Sequence, residues 1–206
     1  MKIEQYCVGE VATNCYFLIN DETKEMLVID PGDSAKMLAE KIRQKNLNPQ
    51  AVLLTHGHFD HAMGAEELAE IFGIKIYAHE AEKSTLEQPG RNVSSMIGRG
   101  ESYHADVFVT DKEVLKLAGM EIQVLHTPGH TEGGCCYYLE QEKVLFSGDT
   151  LFCQSVGRTD FPGGSMSKIV RSIKEKLLVL PDDVKVYPGH MDLTTIGGER
   201  TGNPFL

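Results

Sequence analysis

Apolar residues come in short runs separated by turn-forming residues, the rhythm of alternating strands and helices. Asn14–Ile19 and Met26–Asp30 read as strands, the second closed by the turn Asp30-Pro31-Gly32-Asp33. Ser34 is placed to cap a helix over 35–46, where Met37, Leu38 and Ile42 fall at helical spacing. A buried-type strand at 51–54, a histidine-rich loop, a second helix near 62–72 and a strand at 74–78 follow. The second half repeats the theme. Runs at 114–117, 122–125, 135–139 and 143–147 predict a strand meander, closed by a helix near 166–179 and a strand at 184–187. Residues 87–105, rich in Gly, Ser and Asn, read as a long loop, and such loops in compact domains are often functional.

No linker or charge block divides these elements, and 206 residues suit one domain spanning 1–206. Hydrophobic content of 41% and charged content of 24% are those of a folded chain. The formal charge of −10, with no Lys/Arg cluster, repels a phosphate backbone and argues against a nucleic-acid partner. No run of eighteen apolar residues is present, so no membrane span is expected. The first twenty residues, interrupted by Glu4 and Glu10, do not read as a secretory signal. The five cysteines form no C-x-x-C pair and read as buried thiols of a reducing compartment, so a cytoplasmic location is expected.

The chemistry gathers at strand ends. Val124–His130 and Val186–His190 both run strand, Pro-Gly, His, and Asp149 follows the strand Val144–Ser147 across Gly148. Sheets of α/β proteins collect their sites at such ends. The central signal is Thr55-His56-Gly57-His58-Phe59-Asp60-His61, directly after a strand. His56 and His58 alternate on an extended segment and can face one point, while Asp60 and His61 at a helix start can reach a second. Imidazole and carboxylate suit zinc, iron or manganese. The bland alternatives are a solvated loop or a single mononuclear site. Four such groups would repel one another as cations, or sit as costly buried polar groups, unless a metal organised them.

With these residues the chain resembles the metallo-β-lactamase superfamily, whose signature is H-x-H-x-D-H followed by a later His, Asp and His. The resemblance also covers Asn14-Cys15-Tyr16, Asp30-Pro31-Gly32, Thr127-Pro128-Gly129-His130-Thr131, Gly148-Asp149-Thr150 and Pro188-Gly189-His190. It implies an α/β fold of the four-layer αββα sandwich type. It also implies two divalent transition-metal ions, zinc before iron or manganese: His56, His58 and His130 on one, Asp60, His61 and His190 on the other, Asp149 bridging. Within the superfamily the chain is similar to the short bacterial relatives of glyoxalase II. The matching segments are Gly148–Phe152, Gly157-Arg158-Thr159-Asp160-Phe161 and Glu199–Phe205. Full-length glyoxalase II has a C-terminal helical domain that supplies part of its glutathione site, and this sequence stops at Leu206.

The expected activity is hydrolysis of a small-molecule acyl thioester, hydroxyacylglutathione-like, by water activated between the metals. Asp60 is the expected catalytic carboxylate. Arg158 is the candidate for a substrate carboxylate, with an ion pair to Asp160 as the equal alternative. Ordinary roles are expected for the remaining histidines: His79 as a cap, His126 packed at a strand end or supporting the ligands, His104 solvated in the loop; Arg91 and Asn92 in that loop are open between facing the substrate and capping or solvation. Cys153 near the site is a weak candidate. The rival on the same scaffold is a persulfide dioxygenase using one iron. A flavodiiron oxygen reductase is disfavoured because His58 stands where those proteins carry Glu, and a nuclease is disfavoured by charge. The oligomeric state is open.

Overall fold

Strand β2 (Thr13–Ile19) is buried along all seven of its residues in a computed structural model that describes residues 1–206. Alternate side chains of a strand face opposite ways. Cys15, Phe17 and Ile19 accordingly enter one apolar cluster, Tyr16 and Leu18 another. Both faces of its sheet are therefore covered.

That sheet has six strands in the order β1 (Lys2–Val8), β2, β3 (Glu25–Ile29), β4 (Asn48–Leu53), β5 (Lys75–His79) and β6 (Val107–Val109). β1 to β3 pair antiparallel and β3 to β6 parallel. The second six-stranded sheet is built from β7 (Val114–Leu117), β8 (Met120–His126), β9 (Cys135–Leu139), β10 (Val144–Gly148), β13 (Lys185–Pro188) and β14 (Thr194–Thr195). A small hairpin, β11 (Leu151–Phe152) with β12 (Ser155–Val156), lies outside both sheets.

Three clusters define the layers. Tyr16, Leu27, Leu53, Val124, Tyr137 and Phe146 fill the space between the sheets. Helices α1 (Ala35–Gln44) and α3 (Ala65–Phe72) send Leu38, Ile42 and Leu68 onto the outer face of the first sheet. Helices α5 (Met166–Ser172) and α6 (Ile196–Gly202) place Ile169 and Ile196 against the outer face of the second, beside Leu145 and Val186. The result is the expected four-layer αββα sandwich.

The departures from the sequence reading have local causes. β1 is an edge strand whose half-exposed residues hide its alternation. The helix expected near 62–72 is two pieces, α2 (Phe59–Ala62) and α3, broken around Gly64. A Cβ on Gly64 would collide with the Pro31 carbonyl, so the break lets the ligand-bearing turn lie against the 30–33 turn. Ser34 sits at the start of α1 with φ 60° and makes no cap bond. The helix from Met166 turns π-helical over Ile173–Leu177, and the long loop holds a 3-10 turn at Ser94–Ile97. The helix α4 (Lys83–Glu87) was also missed. The cysteines are not uniformly buried: Cys7 is exposed and Cys153 half-buried. No helix is long and apolar enough to cross a membrane.

Candidate metal centre

All seven sequence-derived ligands meet at one edge of the sandwich, delivered by loops that leave the C-terminal ends of strands. His56 follows β4, His58 stands at the N-terminus of α2, and Asp60 and His61 lie within it. His130 follows β8, Asp149 follows β10 and His190 follows β13. Strand ends from both sheets thus close on one point, as sheet geometry favours.

Three groups of ligand atoms each fall within 4.8 Å of one another: His56, His58 and His130; Asp60, His61 and His190; and His56, His61 and Asp149. His130 Nε2 lies 2.9 Å from His58 Nδ1, and His61 Nε2 lies 3.3 Å from His190 Nε2. Such nitrogen pairs repel unless a proton or a cation stands between them. Asp149 is 3.3 Å from His61 Nε2 through Oδ1 and 3.5 Å from His130 Nε2 through Oδ2. It touches both halves, as a bridging carboxylate must. Asp60 Oδ2 is 3.2 Å from His190 Nε2.

The groups behind the ligands fix which nitrogen is free. Buried Asp30 accepts from His61 Nδ1 at 2.9 Å, from the Thr55 hydroxyl at 2.6 Å and from the Thr55 N–H at 2.7 Å. The Thr55 oxygen, having donated to Asp30, accepts from His56 Nδ1 at 3.1 Å. His130 Nδ1 donates to the Arg158 carbonyl at 2.7 Å. Each bond holds the proton on Nδ1 and leaves the Nε2 lone pair facing the centre, the usual support of a metal-bound imidazole. His56 Nε2 and Asp149 Oδ1 are buried without a hydrogen-bond partner, which is costly unless a cation takes them. The donor set of imidazoles and carboxylates fits a transition metal.

The electrostatics agree. Burial holds the His56, His58 and His130 imidazoles below their ordinary range, His58 at about 3, so all three are neutral at pH 7, the form that can bind a metal. Burial opposes charge on His61 too, but Asp149, Asp60 and Asp30 outweigh it and raise its pKa. Burial likewise pushes Asp60 and Asp149 up, yet the adjacent imidazoles, His61 foremost, leave both lowered. Positive charge is drawn to the point where the carboxylates converge.

Backbone geometry matters at Gly189. A Cβ there would collide with Asp149 Oδ1 and His61 Cε1, which explains why Pro-Gly precedes His190. The His190 loop is held by β2: Asn14 donates to the Pro188 and Met191 carbonyls at 3.0 Å each, and the Tyr16 hydroxyl to Pro188 at 2.6 Å.

These features coincide with a family. The model of the metallo-beta-lactamase superfamily matches residues 8–190. The chain belongs to the metallo-β-lactamase superfamily. It is 39% identical over 213 residues to the hydroxyacylglutathione hydrolase GloC of Haemophilus influenzae, covering all of this chain and 98% of that protein. Among solved structures it is similar to the BLEG-1 B3 metallo-beta-lactamase, with TM-score 0.94 and 42% identity over 99% of each chain. It is also similar to TTHA1623 in a di-iron-bound form, with TM-score 0.86 and 35% identity over 98% of this chain and 100% of that one.

The centre floors a cavity of about 400 Å³, walled by Val11, Phe59, Val93, Phe152, Phe161 and Met191. Arg158 lines it, with its guanidinium bidentate to Asp160 at 2.7 Å and 2.7 Å and stacked 4.0 Å over Phe161. Cys153 does not line it. The remaining candidates have structural places. His79 Nδ1 accepts from the Ala81 N–H, and the His79 ring stacks on His126 at 4.0 Å. His104 pairs with Glu66 at the surface, Arg91 pairs with Glu132, and buried Asn92 ties Leu86 to Glu101.

Sequence reasoning missed two buried carboxylates. Asp30 read as a turn residue; its position just past β3, like those of the ligands past their strands, was the available signal. Glu82, fully buried, accepts from Gly57 N–H at 2.9 Å, Gly133 N–H at 2.7 Å and the Thr131 hydroxyl at 3.0 Å. It binds the His56–His58 loop to the His130 loop. Nothing in the polar stretch around Glu82 distinguishes it from a surface acid.

Proposed function

We propose that the protein is a two-metal hydrolase that cleaves an acyl thioester. The observation that carries this is the pair of three-ligand clusters at the floor of an apolar cavity, with Asp149 in contact with a residue of each. His56, His58 and His130 would hold one ion and Asp60, His61 and His190 the other, with zinc the preferred metal. Two ions so held would supply a water with its pKa lowered to about 7 and a Lewis acid for an acyl oxygen.

The chain's own residues do the rest. Asp30 keeps the His61 proton on Nδ1, and the Arg158 carbonyl does the same for His130. Asp60 lines the cavity and takes a 3.2 Å bond from the Thr13 hydroxyl, which supports a role as the catalytic carboxylate. The apolar walls exclude bulk water and strengthen every charge interaction on the floor. Arg158 meets substrate as part of the wall, its charge offset by Asp160. A thiol leaves as thiolate with a pKa near 8.5, so no strong acid is needed at the leaving group. No cysteine lines the cavity, and the Ser155 hydroxyl that does has no histidine or carboxylate bonded to it, which supports water as the nucleophile. The resemblance to GloC favours a hydroxyacyl thioester as the substrate class, a small molecule and neither nucleic acid nor membrane, and a cytoplasmic setting follows from such a thiol.

The similarity to BLEG-1 favours a second reading, hydrolysis of a β-lactam amide at the same floor. An amine leaving group needs a proton, and the cavity offers no unpaired acid for it apart from the metal-site groups. Metal-loaded protein assayed in parallel against a hydroxyacyl thioester, a β-lactam and a persulfide with oxygen uptake separates the readings. Thioester turnover with neither of the others supports the proposal; oxygen uptake by a single-iron form would replace it with the dioxygenase.

A further inference from the structure

Helix α2 carries Asp60 and His61, yet it is only four residues long, and His58 stands at its start without a side-chain cap bond. A single helical turn is not stable by itself, so its ligands are only as fixed as the contacts that hold it. Its first N–H, that of Phe59 between two ligand residues, donates to the Asn92 carbonyl at 2.9 Å. Asn92 belongs to the long loop at 87–105 and is built to present that carbonyl. The residue is fully buried. Its side chain donates to the Leu86 and Glu101 carbonyls at 2.9 Å each and accepts from the Ser94 N–H at 2.9 Å. The chain then turns through Val93 at φ 57° and ψ 9°, the left-handed region that β-branched residues avoid. Such strain persists only where the surroundings over-determine it, and it collects at functional sites. Val93 is itself buried and lines the cavity over the centre. One strained turn thus sets the Asn92 carbonyl against α2 and Val93 in the cavity wall.

We propose that Asn92 is a positioning residue for the metal centre: through the Phe59 N–H its carbonyl fixes α2, and with it Asp60 and His61. The ion on Asp60, His61 and His190 then depends on a loop that supplies none of its ligands. The ion on His56, His58 and His130 depends on it far less, because those residues stand outside α2, on the loops after β4 and β8. This assignment rests on the reading of the centre as a two-ion site.

Three variants test it. Asn92→Ala removes the side chain that aims the carbonyl. Phe59→Pro removes the N–H itself: proline is favoured at the first position of a helix, and His58, at φ −66° and ψ 149°, already has the extended backbone that a residue before proline needs. Phe59→Ala loses the same ring but keeps the N–H, so the difference between the two Phe59 variants reports on the bond. Zinc affinities of both sites are read by competition with a chromophoric chelator, and amide hydrogen exchange along α2 is read by NMR on the metal-free protein. Asn92→Ala is expected to weaken the ion on Asp60, His61 and His190 about tenfold, with the other ion within about twofold, and to speed exchange of the Phe59 N–H. Phe59→Pro is expected to show the same tenfold loss relative to Phe59→Ala. A merely structural role for Asn92 would lower the unfolding free energy and leave the ratio of the two affinities unchanged. The proposal is overturned by that result, by equal affinities in the two Phe59 variants, or by an Asn92→Ala protein that keeps its Phe59 N–H protected. Should Asn92→Ala not fold, the Phe59 pair decides alone. A native protein that takes up a single ion would sink the two-ion reading, and the exchange measurement, which uses no metal, would still decide whether Asn92 holds α2.

Discussion

Replacing Asp30 by Asn changes one atom and tests how the centre is held. Asp30 is 1% exposed and takes three bonds, all from donors: Thr55 N–H, Thr55 O–H and His61 Nδ1–H. A carboxylate accepts on both oxygens, whereas an amide must present an NH₂ at one of them. Turned toward the Thr55 N–H, that NH₂ leaves two buried donors facing each other. Turned toward His61, it donates to Nδ1 and forces the ring proton onto Nε2, the nitrogen that faces the metal site. Either way a charge-assisted bond worth about 1.5–3 kcal/mol is lost. At roughly 1.4 kcal/mol per decade, affinity for the ion on Asp60, His61 and His190 should fall about ten- to a hundredfold, the usual cost of losing such a supporting partner. The other ion loses less, because His56 feels Asp30 only through Thr55. Competitive titration against a chromophoric chelator reads both affinities, and ¹⁵N spectra of the imidazoles read the tautomer. A folded Asp30→Asn protein with both affinities within about twofold of the native values would refute the tautomer argument.

Asp149→Ala removes the carboxylate that contacts both clusters, so both ions should bind more weakly; loss confined to one, by elemental analysis after dialysis, would show that it does not bridge. Glu82→Gln sets an amide against the donors Gly57, Gly133 and Thr131, and should cost about 1–3 kcal/mol in urea unfolding together with weaker metal retention; unchanged stability would deny that Glu82 ties the loops. Burial, helped by His126, lowers the His79 pKa to about 4 from an unfolded value near 6.5. A depressed folded pKa means stability that is present above pH 6.5 and is lost as pH falls toward 4, about 2 kcal/mol of it by pH 5. His79→Asn, which keeps an acceptor for the Ala81 N–H, should shrink the drop in unfolding free energy between pH 7 and pH 5 by about that amount; an undiminished drop would place the acid sensitivity elsewhere.

The seven residues that gather at the centre were legible because each is a reactive residue type beside an element with an obvious pattern. His56 to His61 follow the apolar run of β4, and His130, Asp149 and His190 follow strands that each carry buried apolar residues. The sandwich itself was implied by the family resemblance; strands such as β2 and β9, buried along their whole length, show the physical reason, because each needs cover on both faces. What stayed hidden depends on distant partners. Asp30 and Glu82 are acids whose meaning comes from donors 25 or more residues away. β1 shows no clean alternation because its edge position leaves most of its residues partly exposed. The cavity walls come from scattered loop residues, among them Val11 and Met191, 48% and 60% exposed, which no periodicity marks. The charge balance of Arg158 and Asp160, two residues apart, was visible only as one of two equal alternatives until their side chains were seen paired.

The central claim is that two ions act together on a thioester. Protein stripped by chelator is titrated with zinc while the rate of hydroxyacyl-thioester hydrolysis is followed against bound metal. The account predicts little turnover up to one equivalent per chain, a rise with the second, and a plateau at two. Full activity at one equivalent, or no hydrolysis at two, would contradict it.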